Sequence, residues 1–326
     1  MTSTARSFES PSYAVATPRL SVAIPFFRYD PLPLFRTLCH EAKALDLRVE
    51  ILLLDDGSDD PPGLARLADA VQESEAPARL LAFSANQGRS AGRNWLFAES
   101  RARHLLFLDC DMAPDAEDFL ETWLRHAQAH DPACTFGGFS LKQTEISPAT
   151  RLHAAIQQRG ECVDAAHRAQ APAKYVYASN LLVRRDVFAA APFDAQFQGW
   201  GWEDVEWGVR IAKQYPISHI DNPASHLGLD GDAALFGKYL QGGANFARLV
   251  QLHPDAVAAY PSVRLARRLK FIPAKAALMK GLRAVAQSPS PTSARVFAAK
   301  LYRTLIYAEA LARSSVRQFL IESDGR

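Results

Sequence analysis

VEILLLDDGS, residues 49–58, runs four consecutive branched aliphatic residues straight into two aspartates and a Gly-Ser turn. An apolar run without polar alternation reads as a strand covered on both faces, as in parallel sheets between helical layers. The acids and the turn then stand at its carboxyl end, where open α/β sheets bind their ligands. Working outward, the pattern returns in LSVAIP (Leu20–Pro25), RLLAFS (Arg79–Ser84) and HLLFLDCD (His104–Asp111). Amphipathic stretches at Pro33–Leu47, Pro62–Glu73 and Ser90–Ser100 separate these runs and predict helices. Strand and helix in alternation predict an α/β fold with a mostly parallel sheet flanked by helices.

The second half is less regular. Strands are expected near Thr135–Phe139 and Val176–Val183, with a helix from Asp204 to Gln214, a loop through His226 and a helix over Ala233–Gln251. The tail reads as two helices, Ser262–Ala286 and Ser293–Leu320, split by the breaker QSPSPTS. From Pro261 onward there are 13 Lys/Arg and 3 Asp/Glu, so the tail carries +10 against a whole-chain charge of +2. An acidic body with a basic tail suggests two jobs. The expected division is a flexible arm at 1–18, a catalytic domain at 19–255 and a basic helical extension at 256–326.

With 48% hydrophobic and 22% charged residues, the chain can bury a sizeable core and falls in the soluble globular class. No apolar run reaches the roughly 18 residues of a membrane span, and the first 18 residues lack the apolar centre of a signal peptide. Cys39, Cys110, Cys134 and Cys162 are far apart with no CxxC spacing, which reads as free thiols in a reducing, cytoplasmic setting.

Asp109 and Asp111 stand two apart after the fourth strand, so in extended chain both side chains share a side. Hard oxygen ligands suit Mg²⁺ or Mn²⁺ and, through the ion, phosphate oxygens. The plainer reading is a polar strand end. Asp55 and Asp56 repeat the placement, either as ordinary D-G-S turn chemistry or as acceptors for a base or ribose. NQGRSAGRN (Asn86–Asn94) sets Arg89 and Arg93 at a helix start, where cations oppose the helix dipole; a nearby anion, or two solvated arginines, would account for them. QGWGWEDVEWG (Gln198–Gly208) interleaves three tryptophans with three carboxylates. Its Glu203 and Asp204 open a helix, a position that suits acids whether or not they react.

In this order, IPFFRYD, LLDDGSDD, NQGRSAGRN, FLDCDM and GWGWEDVEWGVR resemble the family 2 glycosyltransferases of GT-A fold, over roughly Leu20 to Gly231. The last segment is similar to the GWGxED element of bacterial chondroitin-polymerase and galactosyltransferase types. The resemblance implies a GT-A catalytic domain, a Rossmann-like nucleotide-diphospho-sugar transferase, and inverting transfer to an acceptor hydroxyl. It implies that Pro25 flanks the nucleotide, Asp56 contacts the base with Asp55 beside it, and Arg93, spaced from Gly88, lies near nucleotide or sugar. Asp109 and Asp111 become the D-x-D, with Asp109 also at the nucleotide-sugar and Asp111 the more direct ligand of Mn²⁺ or Mg²⁺. Asp204 becomes the general base and Glu203 an orienting acid. His226 stands where related enzymes have a third metal ligand, or is a solvated or core histidine. Gly199 and Gly201 lend freedom to a closing loop, while Trp200 and Trp202 offer faces for a sugar ring or pack in a core. Trp207 reads as core packing.

UDP is the expected nucleotide, and a glycan or lipid-linked molecule the acceptor, as in polysaccharide assembly. The tail fits an anionic membrane surface, packing on the catalytic domain or a dimer interface; with no nucleic-acid motif, nucleic acid is the poorest partner. Two rival functions stand beside the transferase. One is a haloacid-dehalogenase-type phosphatase built on DCDM, which wants Thr or Val where the chain has Ala113. The other is a non-catalytic nucleotide-sugar-binding protein or membrane scaffold.

Overall fold

The structure, a computed structural model, describes residues 6–324, with side chains described through residue 314. Two compact units divide it. The first takes the chain up to Glu145 with Glu161–Gln196 and Trp207–Gly228; the second takes Ile146–Gly160, Phe197–Glu206 and everything from Leu229.

The first unit holds eleven strands: β1 (Arg6–Glu9), β2 (Leu20–Phe26), β3 (Val49–Asp55), β4 (Ala78–Ala82), β5 (His104–Leu108), β6 (Met112–Pro114), β7 (Cys134–Phe136), β8 (Phe139–Ser140), β9 (Asn180–Arg184), β10 (Ile217–His219) and β11 (Ala224–His226). Eight form one sheet in the order β1-β4-β3-β2-β5-β9-β7-β10. β4, β3, β2 and β5 are mutually parallel; β1 and β9 run against their neighbours. The expected mostly parallel α/β sheet is therefore present. The chain leaves β2 toward β3 and β4, then returns to place β5 on β2's other side. That reversal opens a crevice at the carboxyl ends of β2 and β5.

Alternate residues of each strand feed opposite faces. Leu20, Val22, Ile24, Ile51 and Leu53 enter one apolar cluster with helices Leu32–Lys43, Pro61–Gln72 and Phe119–His130. Ala23, Leu52, Leu54, Leu105 and Phe107 enter the other, with Leu96, Phe188 and Trp207. Trp207 is fully buried and donates its indole N–H to Ala191 O at 2.6 Å, the core role its position suggested.

Three expectations are corrected. The arm is not loose where described: Arg6–Glu9 pairs with β4 and Tyr13 is buried beneath the Arg101 guanidinium, 4.1 Å from the ring centre; residues 1–5 lie outside the described residues. The division does not fall at 255. Helix Asp232–Leu252 belongs to the second unit, because Phe246 stacks on Tyr307 at 4.2 Å and Phe236 meets Tyr302 edge-on at 4.8 Å. The first tail helix is two, Pro261–Arg268 and Lys275–Gln287, since Pro273 and the left-handed Ala274 (φ 52°) interrupt it; helix Thr292–Asp324 follows.

His219 in β10 gives the first unit an acid-sensitive point. Burial and then the nearby Arg168 charge push its imidazole down to about 4. The folded state thus favours the neutral ring. Its stabilisation is full above the ordinary value near 6.5 and is lost as pH falls from there toward 4. We expect His219→Gln to remove about 2 kcal/mol of the stability lost between pH 7 and 4.5, solvent screening at this partly exposed ring included. Urea unfolding of both proteins across that range checks it; parallel pH profiles would refute it.

Candidate active site

The acids of the first unit gather where the parallel strands end. Asp55 closes β3, and its Oδ1 accepts the Ser58 N–H at 2.8 Å, holding the turn. Ser58 Oγ in turn accepts the Arg28 N–H at 2.7 Å. Asp55, Ser58, Arg28, Tyr29 and Arg66 line a recess of about 390 Å³. Pro25 stands at the end of β2, one rung past Ile24 and beyond the last β5 pair, so its missing N–H leaves no gap on that side.

Asp56 is held within the neighbouring loop. Its carboxylate accepts the Gln87 and Gly88 N–H groups at 2.7 and 2.9 Å and the Asn86 amide at 3.0 Å. Burial raises its pKa above the ordinary carboxylate value, against the lowering effect of those hydrogen bonds. Both oxygens tether the loop that starts helix Arg89–Glu99, and Asp55, rather than Asp56, borders the recess.

The two aspartates of D-x-D also part company. Asp109 Oδ1 takes Arg93 Nη2 at 2.8 Å, and this arginine is only 3% exposed. Asp111 Oδ2 faces His226 Nε2 at 3.2 Å. Burial works against charge at both of these groups, yet their mutual hydrogen bond outweighs it, lowering Asp111 and raising His226. His226 lies in strand rather than the expected loop: β11 pairs β6 antiparallel with His226 opposite Met112, and Leu227 N donates to Asp111 O at 2.8 Å. Gly228 completes the fit, since a Cβ there would meet Asp111 Oδ2 at 2.1 Å. Arg89 adds positive potential at Asp111. Of the expected trio, Asp111 and His226 face each other while Asp109 turns to Arg93; among the described residues no three His, Cys, Asp or Glu side chains converge to hold an ion. One carboxylate and one imidazole still suit a divalent ion that completes its shell with water and phosphate oxygens.

In the second unit, Glu203 and Asp204 open helix Glu203–Ile211 as expected. Glu203 is buried, Asp204 is partly exposed, and Asp204 Oδ1 accepts the Val205 N–H at 2.8 Å. The chain arrives through three left-handed residues: Gly199 (φ 75°), Gly201 (84°) and Trp202 (77°). For a tryptophan that backbone is strained. Asn245 of helix Asp232–Leu252 compensates: its amide donates to Gln198 O and Gly201 O, both at 2.9 Å. Trp202 spends its indole N–H on Tyr307 Oη (3.3 Å) and packs edge-on against Phe246. Trp200 packs on Tyr239 and covers Gly242. Glu206 meets His253 at 2.9 Å in the interior. Asn245, a lone polar residue in an apolar helical stretch, gave no sequence signal, and the pairing of Glu206 with His253 joins residues 47 positions apart. Asn245→Leu should leave the Gln198 and Gly201 carbonyls without their amide donor and cost about 1 kcal/mol in urea unfolding; an unchanged midpoint would show the loop holds without it.

The sequence model described as "Glycosyl transferase family 2" matches residues 21–190, from β2 through both D-x-D acids to the helix after β9. The chain belongs to glycosyl transferase family 2. The match stops short of GWGWED, which rests on its own residues. No curated protein matches the sequence significantly. Among solved structures, the family 2 chain resembles the mannosyltransferase PcManGT from Pyrobaculum calidifontis, in complex with GDP-Man and Mn²⁺, at 16% identity and a TM-score of 0.55, over 93% of this chain and 89% of that one. It also resembles GalNAc-T7 with UDP, GalNAc and Mn²⁺ at 13% identity and a TM-score of 0.52, over 77% of this chain and 51% of that one. The likeness establishes the GT-A fold for this family 2 transferase, and the phosphatase reading of DCDM gains nothing from it.

Proposed function

We propose that the protein transfers a sugar from a nucleotide-diphospho-sugar, UDP-linked by expectation, to a hydroxyl of a glycan or lipid-linked acceptor with inversion at the anomeric carbon. The observation that supports this most is the Asp111–His226 pair at the carboxyl end of a parallel sheet, beside the cationic start of helix Arg89–Glu99, in a family 2 chain. Asp204 is the general base: it takes the acceptor hydroxyl proton as that oxygen bonds to the anomeric carbon and the bond to the diphosphate breaks. Glu203 holds the loop end and orients the acceptor side. Asp55 and Pro25 border the nucleotide. Arg93 neutralises Asp109, and Arg89 with the helix N-terminus offers charge to the phosphates.

Asp111 and His226 would hold a divalent ion, which when bound offsets the charge developing on the leaving diphosphate. The imidazole donor favours Mn²⁺ over Mg²⁺. The relatives in structure carry GDP-Man or UDP with Mn²⁺, so both bases belong in the test. Thermal shift with UDP-, GDP- and dTDP-sugars plus Mn²⁺, followed by transfer assays on the stabilising donors, decides the reading. A donor-dependent glycosylated product is expected; phosphate release or binding without turnover would overturn it. No helix among the described residues is long and apolar enough to cross a membrane. We place the protein at an anionic membrane surface, held peripherally through its basic helices, where a lipid-linked acceptor is presented.

A further inference from the structure

Helix Lys275–Gln287 reverses the usual arrangement of a surface helix. Of its residues only Ala286 is buried. Ala277, Leu278, Gly281, Ala284 and Val285 share one face by their helical spacing, and all five are exposed. Leu278 and Val285 are 37% and 41% exposed, and Phe271, in the turn just before the helix, is 84% exposed. One solvent-exposed side of the helix is therefore uncharged, and Lys280 and Arg283 flank it. Around it, residues 261–291 contain seven Lys/Arg and no Asp/Glu. Arg264, Arg267, Arg268, Lys280 and Arg283 are exposed among these.

We infer that this face, with Phe271, is a docking surface for an anionic lipid bilayer. An apolar stripe flanked by cations is the composition of helices that lie in the headgroup boundary, where the stripe enters the acyl edge and the bases meet lipid phosphates. A second copy is a poor occupant, because it would bring seven cations against seven without an acid between them. Nucleic acid would pair the bases but leave Phe271, Leu278 and Val285 facing phosphates. The inference rests on the membrane-contact reading and names the residues that carry it.

Sedimentation of the full chain with sucrose-loaded vesicles tests it without any sugar donor. Binding to vesicles of phosphatidylcholine with phosphatidylglycerol should exceed binding to phosphatidylcholine alone by at least tenfold. L278E/V285E should lose at least tenfold on the mixed vesicles, and R267Q/R268Q about fivefold for each cation removed. Circular dichroism should be unchanged in both, since these side chains are exposed. Wild-type protein that stays in the supernatant would overturn the membrane reading as a whole. Wild-type binding with L278E/V285E equal to it would overturn this face alone. Lipid-free self-association abolished by L278E/V285E would assign the face to a second copy and overturn the inference.

Discussion

Asp204→Asn is expected to slow sugar transfer about a thousandfold while fold and donor affinity stay as they were. The amide keeps an oxygen for the Val205 N–H, so the start of helix Glu203–Ile211 retains that hydrogen bond. It cannot take a proton. Of the two acids at that position, Glu203 is 5% exposed and Asp204 is the more open, which is why the base is assigned to Asp204. Steady-state transfer with a saturating acceptor, beside donor binding by calorimetry, gives the comparison. Turnover close to wild type would remove Asp204 from the chemistry, whatever the binding result.

The aspartates of D-x-D should fail differently. Asp111→Asn removes the carboxylate charge that faces His226, and we expect the Mn²⁺ concentration for half-maximal transfer to rise at least a hundredfold, with urea stability unchanged. Asp109→Asn leaves Arg93, 3% exposed, without its 2.8 Å carboxylate. Since Asp109 is itself 27% exposed, that loss should cost about 2 kcal/mol, below the range for a fully buried pair. Identical shifts in metal dependence for the two variants, with no loss of stability in either, would return both acids to one shared ion.

Sequence patterning located the parallel half of the sheet because buried strands announce themselves. β3 and β5 fall within the apolar runs that contain Leu52 and Leu106, and β2 and β4 overrun those that contain Leu20 and Leu80 by one residue each. Trp207 was legible too, four residues past Glu203 and inside a helix. Side-chain partnership was not. Asp55 and Asp56 are neighbours of one type, yet one faces a recess and the other a loop, a choice made by the course of residues 86–88. β11 is three residues long, too short for any period to show, so His226 looked like loop. The tail's +10 charge marked a change in composition near 261, but aromatic contacts such as Phe246 on Tyr307 decide which helices belong together.

The ladder that sets His226 beside Asp111 also dates the site during synthesis. Four parallel strands are complete once Leu108 has been made, and they can pair early through short crossovers. The carboxylate of Asp111 then waits, because its partner lies 115 residues downstream. Closing so long a loop is slow relative to local pairing. A nascent chain therefore carries its four parallel strands before β11 arrives, and the Asp111–His226 contact forms later than the strand pairing beside it.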